Sequence, residues 1–260
     1  MRAYVFDIDK NLWHTNTPVM MEEKQSDWSW QEIAMSQEDY LSLKDFRSIR
    51  HIENNIEKSM INFKDNWPFW TEKFANDIYE AVSNQSNGPS FEKFVEAVRH
   101  GNPIAIITAR GHQEETLRNA FASVIAEVLE CNNTKFHEQM AQILGKDISF
   151  QTALAQYIDL SRFYAISNNH FMAQYPDSSS SFRKTQAMEE YLHYVLDELK
   201  FLYQADKISV WFSDDDEKNI TRMISFFEEK AQEEKFKNTH LVVYHTLPEG
   251  IKKIKITEKI

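Results

Sequence analysis

The chain of 260 residues holds a single cysteine, Cys131, which excludes a disulfide framework and a thiolate-rich metal site. No apolar run approaches the roughly 18 residues of a membrane span. The N-terminus opens on a strand-like run followed by acids, without the basic region and long apolar stretch of a secretory signal. Positive charge is also scarce: 29 Lys and Arg stand against 40 Asp and Glu, giving a net charge of −11. That balance works against general affinity for nucleic-acid backbones or anionic membranes, and an anionic substrate would need a local counter-charge. These absences fit a soluble, cytoplasmic protein with no membrane partner. What the chain does have is 42% hydrophobic residues, enough for a sizeable core. Its 18 Phe, 10 Tyr and 6 Trp read first as packing material.

Four short apolar runs ending in polar or charged residues read as buried parallel strands: AYVFD (3–7), PIAIITA (103–109), KISVWFSD (207–214) and HLVVYH (240–245). RFYAIS (162–167) is a fifth candidate. Helical patterns lie between them. Ser90 is placed to cap a helix carrying Phe91, Phe94, Val95 and Val98 on one face and ended by Gly101. Leu117, Phe121, Val124, Ile125 and Val128 repeat at helical spacing, as do Met188, Tyr191, Leu192, Val195 and Leu199. Strands alternating with helices predict an α/β fold, a Rossmann-like doubly wound parallel sheet. Residues 13–89 break the alternation. They hold Trp13, Trp28, Trp30, Trp67 and Trp70 in charge-laced sequence and read as an inserted, mainly helical cap, leaving 1–12 and 90–260 as the core. Residues 131–161 are open to reading as a further helical insertion, and PDSSSS (176–181) as a surface loop.

In an open parallel sheet the ligand lies at the carboxyl ends of the strands, so the residues there carry the chemistry. The first strand ends in Asp7 and Asp9, the second in Thr108 and Arg110, and the third in Asp214, Asp215 and Asp216, with Asn219 close behind. Alternation along a strand puts residues i and i+2 on one side, so the single Ile8 between Asp7 and Asp9 is the right spacing for two acids facing one site. Several carboxylates around one point are costly unless a divalent cation neutralises them, and a hard oxygen cage suits Mg2+. The Thr108 hydroxyl and the Lys184 ammonium would then hold phosphate oxygens.

FDIDKNL, IITAR, FRKTQAMEEYL and VWFSDDDEKNI, in that order, resemble the four signature motifs of the haloacid dehalogenase (HAD) superfamily, over roughly residues 1–12, 90–130 and 160–250. The resemblance implies a HAD core with a cap. It casts Asp7 as a nucleophile that forms an aspartyl-phosphate, Asp9 as general acid then base, and Thr108 and Lys184 as phosphate holders. It assigns Mg2+ to Asp7, the Asp9 backbone carbonyl and Asp215, with Asp214 and Asn219 close by. The chain departs from the family at Asn11, where Thr or Val is usual. An acid at position 9 points to phosphatases or phosphomutases, because dehalogenases of the superfamily lack it. The expected activity is a Mg2+-dependent phosphomonoester hydrolase acting on a small phosphorylated metabolite or nucleotide.

Other readings compete. Arg110 and His112 either contact the substrate or belong to a loop, and the tryptophans either stack on a base or pack. His137, His170 and His193 have no ligand-like spacing, which argues against zinc. A phosphorylation-switched receiver would order its acids, hydroxyl and lysine differently. A catalytically idle HAD-fold binding protein and a nucleic-acid-end phosphatase remain as alternatives, the latter opposed by the acidic charge.

Overall fold

Runs such as Tyr4-Val5-Phe6 and Ile104-Ala105-Ile106-Ile107 have no polar side to offer water, so they need cover on both faces. The computed structural model, which describes residues 1–65, 71–130, 133–145, 148–247 and 250–256, supplies that cover. The strands are β1 (Arg2–Phe6), β2 (Val19–Lys24), β3 (Trp30–Met35), β4 (Ile49–His51), β5 (Ile104–Thr108), β6 (Arg162–Ala165), β7 (Ile208–Asp214), β8 (Thr239–Leu247) and β9 (Gly250–Lys255). The α-helices begin with α1 (Gln37–Ser42), α2 (Ile56–Ser59), α3 (Thr71–Ser83), α4 (Phe91–Arg99), α5 (Glu114–Glu130) and α6 (Thr134–Leu144). They continue with α7 (Phe150–Leu160), α8 (Asn169–Gln174), α9 (Ser180–Tyr194), α10 (Lys200–Leu202) and α11 (Glu217–Lys230). A π-helical turn at Val195–Leu199 joins α9 to α10.

The main sheet has the order β6-β5-β1-β7-β8-β9, parallel except for β9, which returns antiparallel along the edge. All five expected strands are therefore present. Tyr4, Phe6, Ile104 and Ile106 face a core built with α4, α5, α6 and α7. Ala3, Val5, Ala105 and Ile107 face a second core with α9 and α11. From β1 the chain runs outward through β5 to β6, then crosses back to β7 and β8. The strand order thus reverses at β1, and the carboxyl ends of β5, β1 and β7 surround the crevice where such sheets bind ligands. Among the described residues no helix is long and apolar enough to cross a membrane.

The helical reading of residues 13–89 needs correction. Residues 19–51 include a three-stranded antiparallel sheet in the order β3-β2-β4. Its side chains alternate, with Val19 and Met21 buried while Met20 and Glu22 are half-buried, but the runs are short and laced with charge, so the two-residue period is faint. The turn between β2 and β3 contains no glycine: Asp27 Oδ1 accepts from the Ser29 N–H (3.0 Å) and hydroxyl (2.6 Å). Parts of this segment pack against the core of the main sheet. Trp13 is fully buried among Phe91, Phe94 and Phe121, and α3 adds Phe74, Ile78 and Ala81 to the same core. Trp28 stands exposed under Lys24, and Arg50 covers Trp30. Trp67 and Trp70 lie outside the described residues. Residues 134–144 and 150–160 are helical as read, and Phe136, Met140 and Tyr157 make them part of the first core.

One cap assignment and one loop reading also change. Ser90 precedes α4 without a side-chain capping bond; it is buried, and its N–H donates to the Asn11 carbonyl at 2.9 Å. The serine run is not simply a loop: Ser179 caps α9 by accepting from Phe182 N–H at 3.2 Å. Gly101 ends α4 at φ +60, as its position suggested.

The first core turns on Phe121, whose ring centroid lies 5.4 Å from Trp13, 5.9 Å from Phe94 and 5.7 Å from Phe163. Phe121→Ala should lower the unfolding free energy by roughly 3–5 kcal/mol in urea denaturation. Phe201→Ala, on the exposed face of α10, should stay within about 0.5 kcal/mol of the parent.

Candidate active site

Asp7 lies one residue beyond β1, and Asp214 is the last residue of its neighbour β7. Phe6 and Ser213 are register partners, so the two carboxylates emerge side by side. Between them sits Lys184, from the second turn of α9, with its ammonium 3.0 Å from Asp7 Oδ1 and 2.6 Å from Asp214 Oδ2. The three are nearly sealed from solvent, at 7%, 0% and 1% exposure for Asp7, Asp214 and Lys184. Asp214 is held further by Asn219, whose amide donates to both oxygens at 3.1 Å, and by the Asp216 N–H at 2.9 Å. Asp216 in turn caps α11 through the Lys218 N–H. Asp215 completes the group. Asp7, Asp214 and Asp215 each offer an oxygen within 4.8 Å of the others, the one such cluster among the described residues.

The charges do not balance. Three carboxylates face one ammonium, and burial strengthens their repulsion. Burial, then the charges of Asp214, Asp215 and Asp9, raise the Asp7 carboxyl well above its ordinary value, and Lys184 only partly offsets them. Asp215 is pushed up to about 6 by burial and by Asp214. Lys184 moves the other way from a buried lysine: burial favours its neutral form, but Asp214 and Asp7 outweigh that and hold the proton more tightly. A small set of hard oxygen donors with excess negative charge fits a divalent cation such as magnesium.

Asp9 has a different environment, two residues from Asp7. Arg110 grips it in a fork, Nε to Oδ2 at 2.8 Å and Nη2 to Oδ1 at 2.7 Å. Thr15 donates to Oδ1 at 2.6 Å, and Gln37 reaches it at 3.5 Å. Burial alone would raise this carboxyl; the Arg110 charge and these hydrogen bonds overcome it, so the group sits below the ordinary range. Arg110 Nη2 also donates to Thr15 and Thr17 at 2.9 Å each, and the Thr17 hydroxyl bonds to Asp77 of α3. His112 pairs through Nδ1 with Asp65 at 3.0 Å, and Asp65 also accepts from Gln113 N–H and Thr116. Burial and Arg110 lower the His112 imidazole against the pull of Asp65. Thr108, buried at the end of β5, accepts from Arg110 N–H at 3.3 Å.

The strand-end residues expected from sequence therefore converge, but in two groups. Asp7, Lys184, Asp214, Asp215 and Asn219 form the acid cluster. Asp9, Arg110 and Thr108 form a neighbouring wall that ties the core to residues 15–37, and His112 carries that wall to Asp65. Thr15, Thr17, Gln37, Asp65 and Asp77 gave no signal in sequence, because single polar residues acquire meaning only from distant partners. Asn11, noted only as a departure from the family pattern, is fully buried and bonded on every side. Comparison with protein-family models, curated proteins and solved structures found no match to this chain.

A carboxyl raised in the folded state binds its proton more tightly there than in the unfolded chain. Its stabilising contribution is complete below the unfolded value, near 4, and is lost as pH climbs through about 6 for Asp215. Asp215→Asn, compared with the parent by urea denaturation in a chelating buffer, should gain relative stability between about pH 4.5 and 7.5. A difference that stays flat across that range would show Asp215 to be an ordinary carboxylate.

Proposed function

We propose that this chain is a magnesium-dependent phosphomonoester hydrolase of the HAD type, working through an aspartyl-phosphate on Asp7. The observation that carries the reading is the meeting of Asp7, Asp214 and Asp215 within 4.8 Å, with the Lys184 ammonium between the first two. Asp7, Asp215 and the Asp9 carbonyl would hold magnesium, which when bound supplies positive charge beside the phosphate oxygens. Lys184 and the Thr108 hydroxyl orient the remaining oxygens. The Asp7 carboxylate attacks phosphorus and the ester oxygen leaves, taking a proton from Asp9. Asp9 then takes a proton from water as that water attacks the same phosphorus, releasing inorganic phosphate and restoring Asp7. Residues 15–37 reach Asp9 through Thr15 and Gln37, and a cap of the HAD type, as the resemblance implies, would restrict the substrate to a small phosphorylated metabolite or nucleotide. The net charge of −11 disfavours a nucleic-acid end.

One observation favours a second reading, a cation-binding HAD-like protein without turnover. Both Asp9 oxygens are engaged and the group is held ionised, so it can protonate a leaving group only after Arg110 lets go. The two readings separate in a screen of small phosphate esters for Mg2+-dependent phosphate release. A phosphatase should turn over at least one ester, lose activity to background in Asp7→Asn, and fall by roughly 10²–10⁴-fold in Asp9→Asn. No turnover of any ester, together with no binding of beryllofluoride, would establish the idle protein.

A further inference from the structure

The acid cluster poses a mechanical problem. Three carboxylates at the tips of β1 and β7 repel one another, and the last backbone bond between the strands, Asp7 N–H to the Ser213 carbonyl at 3.1 Å, lies directly beneath them. Asn11 braces the same junction. Its side-chain N–H2 donates to the Asp7 carbonyl at 3.1 Å, the Ser213 carbonyl at 3.2 Å and the Ser213 hydroxyl at 3.0 Å. Its side-chain oxygen accepts from the Thr246 hydroxyl at 3.0 Å. One amide thus ties β1 to β7 and β8. Two of the residues it grips are Asp7 itself and Ser213, the residue before Asp214.

Asn11 is itself fixed from the other side. Its carbonyl accepts from Ser90 N–H, and a Cβ on Gly88 would lie 2.5 Å from that carbonyl oxygen, so the backbone at 88 packs directly on it. Lys10, at φ +60, turns the chain between Asp9 and Asn11, and its N–H donates to the Trp13 carbonyl at 2.8 Å. Only an amide offers two N–H hydrogens and an acceptor at this reach. Threonine has one shorter hydroxyl, and valine has no polar group.

We infer that Asn11 is a positioning residue that sets the separation of Asp7 from Asp214 and Asp215, and through it the affinity of this cluster for a divalent cation. The inference rests on the metal-centre reading, so its test measures binding rather than turnover: Mn2+ as the probe, followed by electron paramagnetic resonance, with thermal melting of each variant alongside. Asn11→Thr should weaken Mn2+ binding ten-fold or more. Ile125→Val, a core change on the far side of the sheet, serves as the stability control and should leave binding unchanged. Should Asn11→Thr fail to fold, Thr246→Val releases only the amide oxygen and should weaken binding about three-fold. Parent-like binding in the folded Asn11 variant, or in Thr246→Val if that is the one that folds, would overturn the positioning role while leaving the metal centre intact. Failure of the parent protein itself to bind Mn2+ would remove the centre and the inference together.

Discussion

The Lys184 ammonium, lodged between Asp7 and Asp214, is the contact on which the site depends. Without a positive charge there, two buried carboxylates on adjacent strands would be among the most costly features a fold can carry. With it, they are tolerable yet still under-neutralised, because Asp215 adds a third negative group to the same point. Such an arrangement contributes little to stability, since desolvation of the charges consumes most of what their attraction returns. It leaves acids close together, under-neutralised and nearly sealed from solvent. The apolar cores on either face of the sheet make that tolerable, and the strand ends carry the charge.

Asp7 and Asp9 show how far local surroundings separate two like groups. Burial first, and then neighbouring acids, raise one; a guanidinium fork and hydrogen bonds overcome burial and lower the other. Opposed shifts in neighbouring carboxyls are how one fold supplies two chemical roles. Arg110 adds a mechanical aspect, since the group that keeps Asp9 ionised also holds Thr15 and Thr17, and through Thr17 meets Asp77. Residues 15–37 and the state of Asp9 are therefore linked directly, through Thr15 and Gln37, and indirectly through Arg110.

The sheet was legible in the sequence because parallel strands announce themselves as unbroken apolar runs, and its acids because they end those runs. Lys184 could be singled out from Lys200 and Lys207 by its place at the start of an amphipathic helix. The small sheet of β2, β3 and β4 escaped notice for physical reasons. β3 buries none of its residues, β2 alternates over only a few positions, and the intervening turn relies on Asp27 with Trp28 at φ +72 where a glycine would have marked it. Asn11 was visible as an oddity but not as a tie, because two of its partners are 202 and 235 residues away. The grip of Arg110 on Asp9 was hidden for the same reason.

Strand β9 closes one side of the main sheet with the sequence GIKKIK, most of it exposed. An open β edge invites another chain to extend it, and lysines are a common means of discouraging this. Lys252, Lys253 and Lys255 all lie on this strand, with the Lys253 ammonium over the Trp211 and Tyr244 rings. At this edge, opposite β6, the strand therefore meets solvent as a cationic margin on an otherwise acidic molecule.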